Sequence, residues 1–171
     1  MKHSVHTDVA FLKTIRGDRV SLMYVKGDIL TPNTSDRGVI VCHQVNCKGV
    51  MGAGLAKQVK DKHPRVYEYY REACKSGQAY LGKVQVIPCG EYRYSVANIF
   101  GQMTYGRHGQ FTDYGALIDA FKYIGDTILE STIIRIPFKI GCGLGGGNWD
   151  VVFGLIENYL GHDFDVEIWR L

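Results

Sequence analysis

The stretch TIIRIPFKIGCGLGGGNWDVVFGLIENYL, residues 132–160, brings together an isoleucine-rich run, five glycines and a second apolar run. The β-branched residues of the first run, TIIRIPFKI, are typical of a buried strand. The second run, WDVVFGLIENYL, has helical spacing and is followed by Gly161, a residue that often ends helices. The glycines between the runs carry an entropic cost, which indicates either a special backbone conformation or a ligand that approaches closely.

The same alternation of strands and helices continues along the rest of the chain. Apolar runs bounded by turn residues predict strands at 19–26, 38–44, 83–88, 93–98 and, near the C-terminus, in DFDVEIW. Helical spacing predicts helices at 53–63, from Pro64 to about Gly77, and after a cap at Thr112 or Asp113. This order favours a three-layer α/β/α fold with a mixed, largely parallel central sheet. We expect the domain to span residues 20–171, after an N-terminal extension, residues 1–19, that could add an edge strand.

Length and composition limit the classes of protein to consider. The 171 residues are 46% apolar and 22% charged, as expected for one globular domain. No apolar run approaches the ~20 residues that span a bilayer, and the N-terminus lacks a secretory apolar segment. We therefore expect a cytoplasmic monomer with no membrane partner. The net charge of +3 suits an anionic ligand but is too small to predict a strong nucleic-acid surface.

Cysteines and histidines give no sign of a metal site or of a disulfide framework. The five cysteines form no C-x-x-C pair, so reduced thiols are expected. The six histidines are scattered and do not cluster with the cysteines. We accordingly expect neither a metal nor a cofactor.

Two glycine-rich loops are the main candidates for a ligand site. The segment GCGLGG, residues 141–146, and the segment NCKGVMGAGLAKQ, residues 46–58, each run from a predicted strand into a predicted helix. Such loops expose backbone N–H groups beside the positive end of a helix dipole and can bind phosphate. Ligands of α/β proteins bind beyond the carboxyl ends of the strands, so the two loops could hold both phosphates of a pyrophosphate. A tight turn without a ligand is the alternative for each loop.

Three polar side chains near strand ends are further candidates. Asn46 ends a strand, where its amide could bind sugar hydroxyls or form a turn. Asp28 follows Gly27 and could accept a hydrogen bond from an exocyclic amine or cap a turn. His43 lies in a buried strand, where it could relay a proton or be a packed core residue.

The segment GCGLGG also fits the dinucleotide pattern G-x-G-x-x-G, with Glu167 about 20 residues further on as a possible ribose ligand. That pattern normally opens the first βαβ unit of a sheet, whereas 25 residues follow Gly146. A nicotinamide-dinucleotide enzyme is therefore the least favoured hypothesis.

Four segments in order, KGDIL, VCHQVNCKGVMGAGLA, IPFKIGCGLGGGNW and VEIWRL, resemble the macrodomain family, whose members bind ADP-ribose. The resemblance spans Val20 to Leu171. It implies that Asp28, with Ile29, holds the adenine amino group, that Asn46 contacts the distal ribose and that Trp169 lies near the adenine. It also implies a set of loop residues around the diphosphate and distal ribose: Gly52, Ala53, Gly54, Gly141, Cys142, Gly143, Leu144, Gly145 and Gly146.

Within this family, the sequence is most similar to the DNA ADP-ribosyl-glycohydrolase antitoxins, the terminal ADP-ribose protein glycohydrolases and the yeast ADP-ribose-1''-phosphate phosphatase. Two departures matter. In this resemblance Gln102 matches the position of the antitoxins' catalytic lysine, and Gly145 stands where the glycohydrolases have an aspartate. Gln102 cannot form a Schiff base or act as a general acid, so covalent lysine chemistry is not expected.

His43 matches a histidine of the yeast phosphatase, and with Asn46 it is the remaining catalytic candidate. The expected function is binding of ADP-ribose or a derivative, with hydrolysis at the distal ribose. The substrate would be ADP-ribose-1''-phosphate or an ADP-ribosylated macromolecule. The alternative is a reader module that binds ADP-ribose without turnover.

Overall fold

The computed structural model describes residues 9–16, 19–90 and 93–171 of the chain. The strands are β1 (Val9–Arg16), β2 (Arg19–Lys26), β3 (Val39–Asn46), β4 (Val84–Pro88), β5 (Tyr94–Gln102), β6 (Ile133–Pro137) and β7 (Asp165–Arg170). The helices are α1 (Gly54–Lys62), α2 (Pro64–Lys75), α3 (Tyr114–Thr127) and α4 (Trp149–Tyr159).

The strands form one sheet in the order β1-β2-β7-β6-β3-β5-β4. Strands β2, β7, β6, β3 and β5 are parallel neighbours, while β1 and β4 pair antiparallel at the two edges. The prediction of a mixed, largely parallel sheet is therefore confirmed. Because the central strands are parallel, their carboxyl ends lie at one edge of the sheet.

The two faces of the sheet are covered by different helix pairs. Along β3, Val41 and Val45 pack on the side of α1 and α2, whereas Ile40 and Cys42 pack on the side of α3 and α4. Successive residues of a strand point to opposite faces, so this alternation follows directly from the apolar run. The α/β/α layers are as predicted.

Element ends differ from the prediction in two places that shape the site. The strand predicted over 132–140 ends at Pro137, because proline cannot donate to the ladder and Lys139 adopts a φ of +61°. Strand β5 continues to Gln102 instead of ending at Asn98. Of the two predicted caps of α3, Asp113 is the one used: its carboxylate accepts from the N–H of Ala116 at 2.9 Å.

The described part of the chain has no helix long and apolar enough to cross a membrane. It also has no group of three or more histidine, cysteine or acidic side chains placed to hold a metal ion. The thiols of the five cysteines are free.

Candidate functional site

A cavity of about 460 Å³ opens beyond the carboxyl ends of β3, β5 and β6. Its wall is made by residues within 43–56, 102–106 and 137–145, so both glycine-rich loops take part in it. The volume lies within the range of about 300–1,000 Å³ that is usual for small-ligand sites. The two loops predicted from the sequence are thus brought together at one cavity.

The loop of residues 141–147 owes much of its shape to the protein itself. Gly141 has a φ of +71°, and a Cβ on Gly145 would lie 2.5 Å from Oγ1 of Thr112. A Cβ on Gly146 would overlap the carbonyl oxygen of Gly109. The N–H groups of Phe111 and Thr112 donate to the carbonyl of Gly145, at 2.8 and 2.9 Å. These three glycines are therefore required by packing, with or without a ligand.

Gly143 and Gly52 are different. Neither has a positive φ. A Cβ on Gly143 would meet no described atom within 4 Å, and one on Gly52 would meet only Val50, at 3.6 Å. Both glycines lie in the cavity wall, so a side chain would reduce the space inside the cavity.

Two groups of backbone N–H donors lie in the wall. Helix α1 begins at Gly54 after Ala53, which has no side-chain cap, and the N–H groups of its first turn have no partner within a helix. In the other loop, the N–H groups of Gly143, Leu144 and Gly145 have no acceptor among the residues that the structure describes. Unpaired donors on two sides of one cavity fit an anion.

At the start of α4, in contrast, a side chain of the protein already pairs two of the N–H groups. The side chain of Asn148 accepts from the N–H groups of Asp150 and Val151, at 2.8 and 3.3 Å. The carboxylate of Asp150 adds a negative charge in the first turn. The donors that this loop leaves for an anion therefore precede the helix, and the contribution of the helix dipole to phosphate binding stays a prediction.

Two residues of the loop 141–147 that the resemblance assigns to the ligand lie outside the wall. The thiol of Cys142 donates to the carbonyl of Ile140 at 3.3 Å, and its side chain packs on the core below α3 and α4. Gly146 packs against Gly109. Both residues therefore contact other parts of the protein and stabilise the loop from the side away from the cavity.

Asn46 lines the cavity, but its amide is largely engaged within the loop. Its Oδ1 accepts from the N–H of Lys48 at 2.9 Å and from the hydroxyl of Tyr70 at 2.8 Å, and its Nδ2 donates to the carbonyl of Val50 at 2.8 Å. Among the described residues, one hydrogen of Nδ2 is left without an acceptor. Asn46 therefore fixes the bend of the loop and has one donor left for a ligand.

His43 also lines the cavity and is 1% exposed. Its Nε2 lies 2.6 Å from Oδ1 of Asn98, and its Nδ1 has no partner among the described residues. Burial lowers the pKa of the imidazole to about 4, so the ring is uncharged at neutral pH. The role of proton relay stays a prediction, and an uncharged ring is better suited to accepting a hydrogen bond than to acting as an acid.

Gln44 is a wall residue that the sequence did not single out. Its Nε2 donates to Oε1 of Gln102 at 2.7 Å and to Oγ1 of Thr112 at 2.9 Å. Its Oε1 is buried without a partner in the described part of the chain. Gln102 in turn donates to the carbonyl of Thr104 at 2.7 Å, so its amide braces the wall.

Other wall residues were missed because they lie where a strand was predicted or in loops without a pattern. Lys139 is the one lysine, arginine or acidic residue among the described wall residues, and its positive φ places it at the turn after β6. Phe138 and Tyr105 are exposed at the wall. Pro137, which ends the strand, is the signal in the sequence that could have located Lys139 and Phe138.

Asp28, Ile29 and Trp169 do not line this cavity. Asp28 follows β2, and its carboxylate accepts from the N–H of Leu30 at 2.9 Å and pairs with the ammonium group of Lys62. This carboxylate therefore lies outside the cavity and is paired with a lysine, and its contact with the ligand stays a prediction.

Trp169 is a fixed part of the core near this carboxylate. Its indole N–H donates to Glu167 at 2.8 Å, and the guanidinium of Arg135 lies 4.7 Å from its ring centroid. The same ring packs against Gly27, where a Cβ would lie 3.4 Å from it. Trp169 therefore supports the segment that carries Asp28.

The fold and the cavity define an α/β/α protein with a ligand site at the carboxyl ends of parallel strands, lined by backbone donors from two glycine loops. Residues 42–156 match the family model described as Macro domain. The chain belongs to this family, as the four sequence segments predicted.

Two proteins of similar sequence support the family assignment. The chain is 31% identical over 134 residues to a DNA ADP-ribosyl glycohydrolase of Mycobacterium tuberculosis, covering 77% of this chain and 36% of the relative. It is 36% identical over 104 residues to an ADP-ribose 1''-phosphate phosphatase of Candida glabrata, covering 55% of each. The chain thus spans about a third of the glycohydrolase and about half of the phosphatase.

Solved structures confirm the fold. A protein of unknown function from Bacteroides thetaiotaomicron is similar with a TM-score of 0.79 and 27% identity, over 88% of this chain and 98% of the other. The structure of Thermosipho africanus DarTG in complex with ADP-ribose is similar with a TM-score of 0.70 and 25% identity, over 87% of this chain and 41% of the other.

Proposed function

We propose that this protein binds ADP-ribose in the glycine-lined cavity and hydrolyses a bond at its distal ribose. The observation that carries the proposal is the chemistry of the wall. Two groups of N–H donors without a protein acceptor are suited to an anion, and the buried acceptors on His43 and Gln44 lack a donor among the described residues. A diphosphate beside a sugar with free hydroxyl groups supplies both.

The relatives support the same ligand. Two are named as a DNA ADP-ribosyl glycohydrolase and an ADP-ribose 1''-phosphate phosphatase, and one structural neighbour was solved with ADP-ribose bound. The substrate class we propose is accordingly ADP-ribose-1''-phosphate or an ADP-ribosylated macromolecule.

In this proposal an extended ligand joins two parts of the sheet edge. The carboxylate of Asp28 follows β2, which lies three strand spacings from β3, or roughly 14 Å at about 4.8 Å per strand. The ammonium group of Lys62 first leaves the carboxylate of Asp28, which then accepts a hydrogen bond from the adenine amine. Ile29 lies beside Asp28 at this end of the ligand. Trp169 acts through Gly27, by holding this segment. Asn46 donates to the distal ribose, and the diphosphate lies between the loop residues Gly52, Ala53, Gly54, Gly143, Leu144 and Gly145.

The reaction proposed is hydrolysis: the oxygen of a bound water forms a bond to the phosphorus of the 1''-phosphate, or to C1'' of the distal ribose in an ADP-ribosylated macromolecule. The bond from that atom to its leaving group breaks, and the leaving group takes up a proton of the water. The wall offers no carboxylate among its described residues, and its imidazole is uncharged at neutral pH. The protein would therefore act mainly by positioning the sugar and the water. This lack of an acid is also the observation that favours a second candidate, a reader that binds ADP-ribose without turnover.

Calorimetric titration with ADP-ribose and with NAD tests the binding step. We expect saturable binding of ADP-ribose that is clearly tighter than that of NAD. Equal or tighter binding of NAD, or no binding of ADP-ribose, would contradict the proposal. Incubation with ADP-ribose-1''-phosphate, ADP-ribosylated DNA and ADP-ribosylated protein then tests the reaction, because a reader would release nothing above the buffer control from any of them.

A further inference from the structure

A row of hydrogen bonds crosses three strands beneath α1 and α2 and ends at the cavity. The carbonyl of Tyr69, in α2, accepts from Nε2 of Gln85, in β4, at 3.1 Å. Oε1 of Gln85 accepts from Nδ2 of Asn98, in β5, at 3.0 Å. Oδ1 of Asn98 lies 2.6 Å from Nε2 of His43, in β3.

The direction of this row is fixed from its outer end. A backbone carbonyl can only accept, so the amide nitrogen of Gln85 must face Tyr69 and its oxygen must face Asn98. The amide of Asn98 is oriented in the same way, with its oxygen towards His43. Nε2 of His43 must therefore carry a hydrogen, since two acceptors cannot form a hydrogen bond.

The other nitrogen of the ring is then an acceptor. A neutral imidazole carries one N–H, and burial keeps this ring neutral by lowering its pKa to about 4. Nδ1 consequently has a free lone pair, and it is enclosed with no donor among the described residues. Leaving a buried acceptor unpaired is costly, so the site is complete only when another molecule donates to it.

Gln44 adds a second acceptor of the same kind. Both hydrogens of its Nε2 are used, by Gln102 and Thr112, and its Oε1 is buried without a donor among the described residues. Gln44 is the next residue along β3, so its side chain points to the opposite face of the sheet, and its acceptor is separate from that of His43.

We propose that Nδ1 of His43 accepts a hydrogen bond from a sugar hydroxyl of the ligand, and that Asn98 and Gln85 are positioning residues that hold His43 in the Nε2–H tautomer. This inference rests on the proposed function, since the sugar is that of ADP-ribose. With the opposite tautomer the wall would present a donor at this place and would favour a ligand acceptor instead. The row of hydrogen bonds therefore determines that the ligand must supply the donor.

Nitrogen-15 NMR of the histidine rings tests the inference directly. In the free protein we expect the His43 signals of a protonated Nε2 and an unprotonated Nδ1. Saturating ADP-ribose should move the Nδ1 signal in the direction of a nitrogen that accepts a hydrogen bond. A protonated Nδ1, or an Nδ1 signal that does not change although calorimetry of the same sample shows bound ADP-ribose, would overturn the inference. A lack of ADP-ribose binding would instead overturn the proposed function.

The positioning role has its own test in variants of Gln85, which is partly exposed and can be replaced without opening the core. Gln85→Leu frees the amide of Asn98 to turn, so we expect a mixture of His43 tautomers and ADP-ribose binding weakened a few-fold. Gln85→Glu keeps an oxygen facing Nδ2 of Asn98 and should restore the single tautomer. An unmixed tautomer in Gln85→Leu would show that Gln85 is merely structural.

Two substitutions of His43 distinguish the roles of its two ring nitrogens. Asn carries an oxygen close to the place of Nδ1, whereas Gln extends to the place of Nε2. We expect His43→Gln to weaken ADP-ribose binding about tenfold, the usual value of one hydrogen bond, and His43→Asn to weaken it less. If His43→Gln binds as tightly as the unchanged protein, the acceptor role of Nδ1 is overturned.

Discussion

Gly143 and Gly52 have open space where a side chain would begin, although both lie in the cavity wall. Neither needs a left-handed backbone. Gly145 and Gly146, by contrast, are in contact with atoms of the protein where a Cβ would lie. The five glycines of residues 141–147 therefore do not have one common cause, and substitution can separate packing from binding.

Gly143→Ala should leave folding intact and impair the site. Alanine has fewer unfolded conformations than glycine, so the free energy of unfolding should stay equal or rise by up to about 1 kcal/mol. The added methyl group reduces the space for the diphosphate, so we expect at least a tenfold loss of ADP-ribose affinity in calorimetry. Gly154→Ala is the matched control, because Gly154 lies in α4 with open space around it and outside the wall. Equal affinities of the two variants would contradict the prediction.

Gly145→Ala should have the opposite profile. Its methyl group would overlap the carbonyl of Gly141 and the hydroxyl of Thr112. We expect a loss of about 1–3 kcal/mol in the free energy of unfolding, measured by urea denaturation, as for other overpacked sites. Unchanged stability would show that the loop can rearrange.

The ion pair of Asp28 and Lys62 gives a paired test of the adenine end. Asp28→Ala should weaken ADP-ribose binding by about 1–3 kcal/mol, because it removes a charged acceptor. Lys62→Ala should strengthen binding, because Asp28 no longer has to release Lys62. Calorimetry of the two variants measures both effects. The pair is about half exposed, so stability should change little in either variant. Weaker binding in Lys62→Ala would mean that the lysine itself contacts the ligand.

At the scale of elements, the segment after β5 and the loop after β6 are held together by Thr112. Its Oγ1 donates to the carbonyl of Gly141 at 2.6 Å and accepts from Gln44 at 2.9 Å. The geometry of the loop after β6 therefore depends on Thr112 and Gln44, which precede the loop in the chain.

Thr112→Val should loosen this connection without changing the volume of the side chain. Two hydrogen bonds of a buried residue lose their partner, so we expect a loss of about 1–3 kcal/mol in stability and weaker ADP-ribose binding. Hydrogen exchange should become faster at the amide of Gly147, which donates to Gly141 at 2.9 Å. Thr127→Val is the control, since Oγ1 of Thr127 bonds to a carbonyl within α3, away from the cavity. Equal exchange rates in both variants would contradict this account.

The elements themselves could be predicted from the sequence because their signals are local. Alternating and continuous apolar runs gave the strands, and Asp113 gave the cap of α3. The bonds that build the wall could not be predicted in this way. Gln44 forms hydrogen bonds to Gln102 and Thr112, which lie 58 and 68 residues further along the chain. No sequence pattern near Gln44 indicates these partners. The meeting of the two glycine loops was predictable because it follows from parallel strands.

At the scale of the whole molecule, His43 couples stability to pH. Burial lowers its pKa to about 4 from an unfolded value near 6.5. Between these pH values the unfolded chain binds a proton that the folded chain does not, so a falling pH favours unfolding. We expect this residue to remove about 3 kcal/mol of stability between pH 6.5 and pH 4, and little more below pH 4.

Urea denaturation across this pH range measures the effect. His43→Asn does not titrate here, so its stability should fall less steeply than that of the unchanged protein as the pH is lowered. Parallel curves for the two proteins would show that His43 is protonated in the folded state, contrary to the buried geometry.

Strand β7 lies between β2 and β6, so the hairpin of β1 and β2 joins the rest of the described sheet through β7. During synthesis, β2 leaves the ribosome roughly 140 residues before β7, counted from Lys26 to Asp165. A two-stranded hairpin alone is at best marginally stable in water. The hairpin of β1 and β2 therefore cannot join the rest of the sheet until β7 has been synthesised, and an unpaired strand edge is prone to aggregation until then.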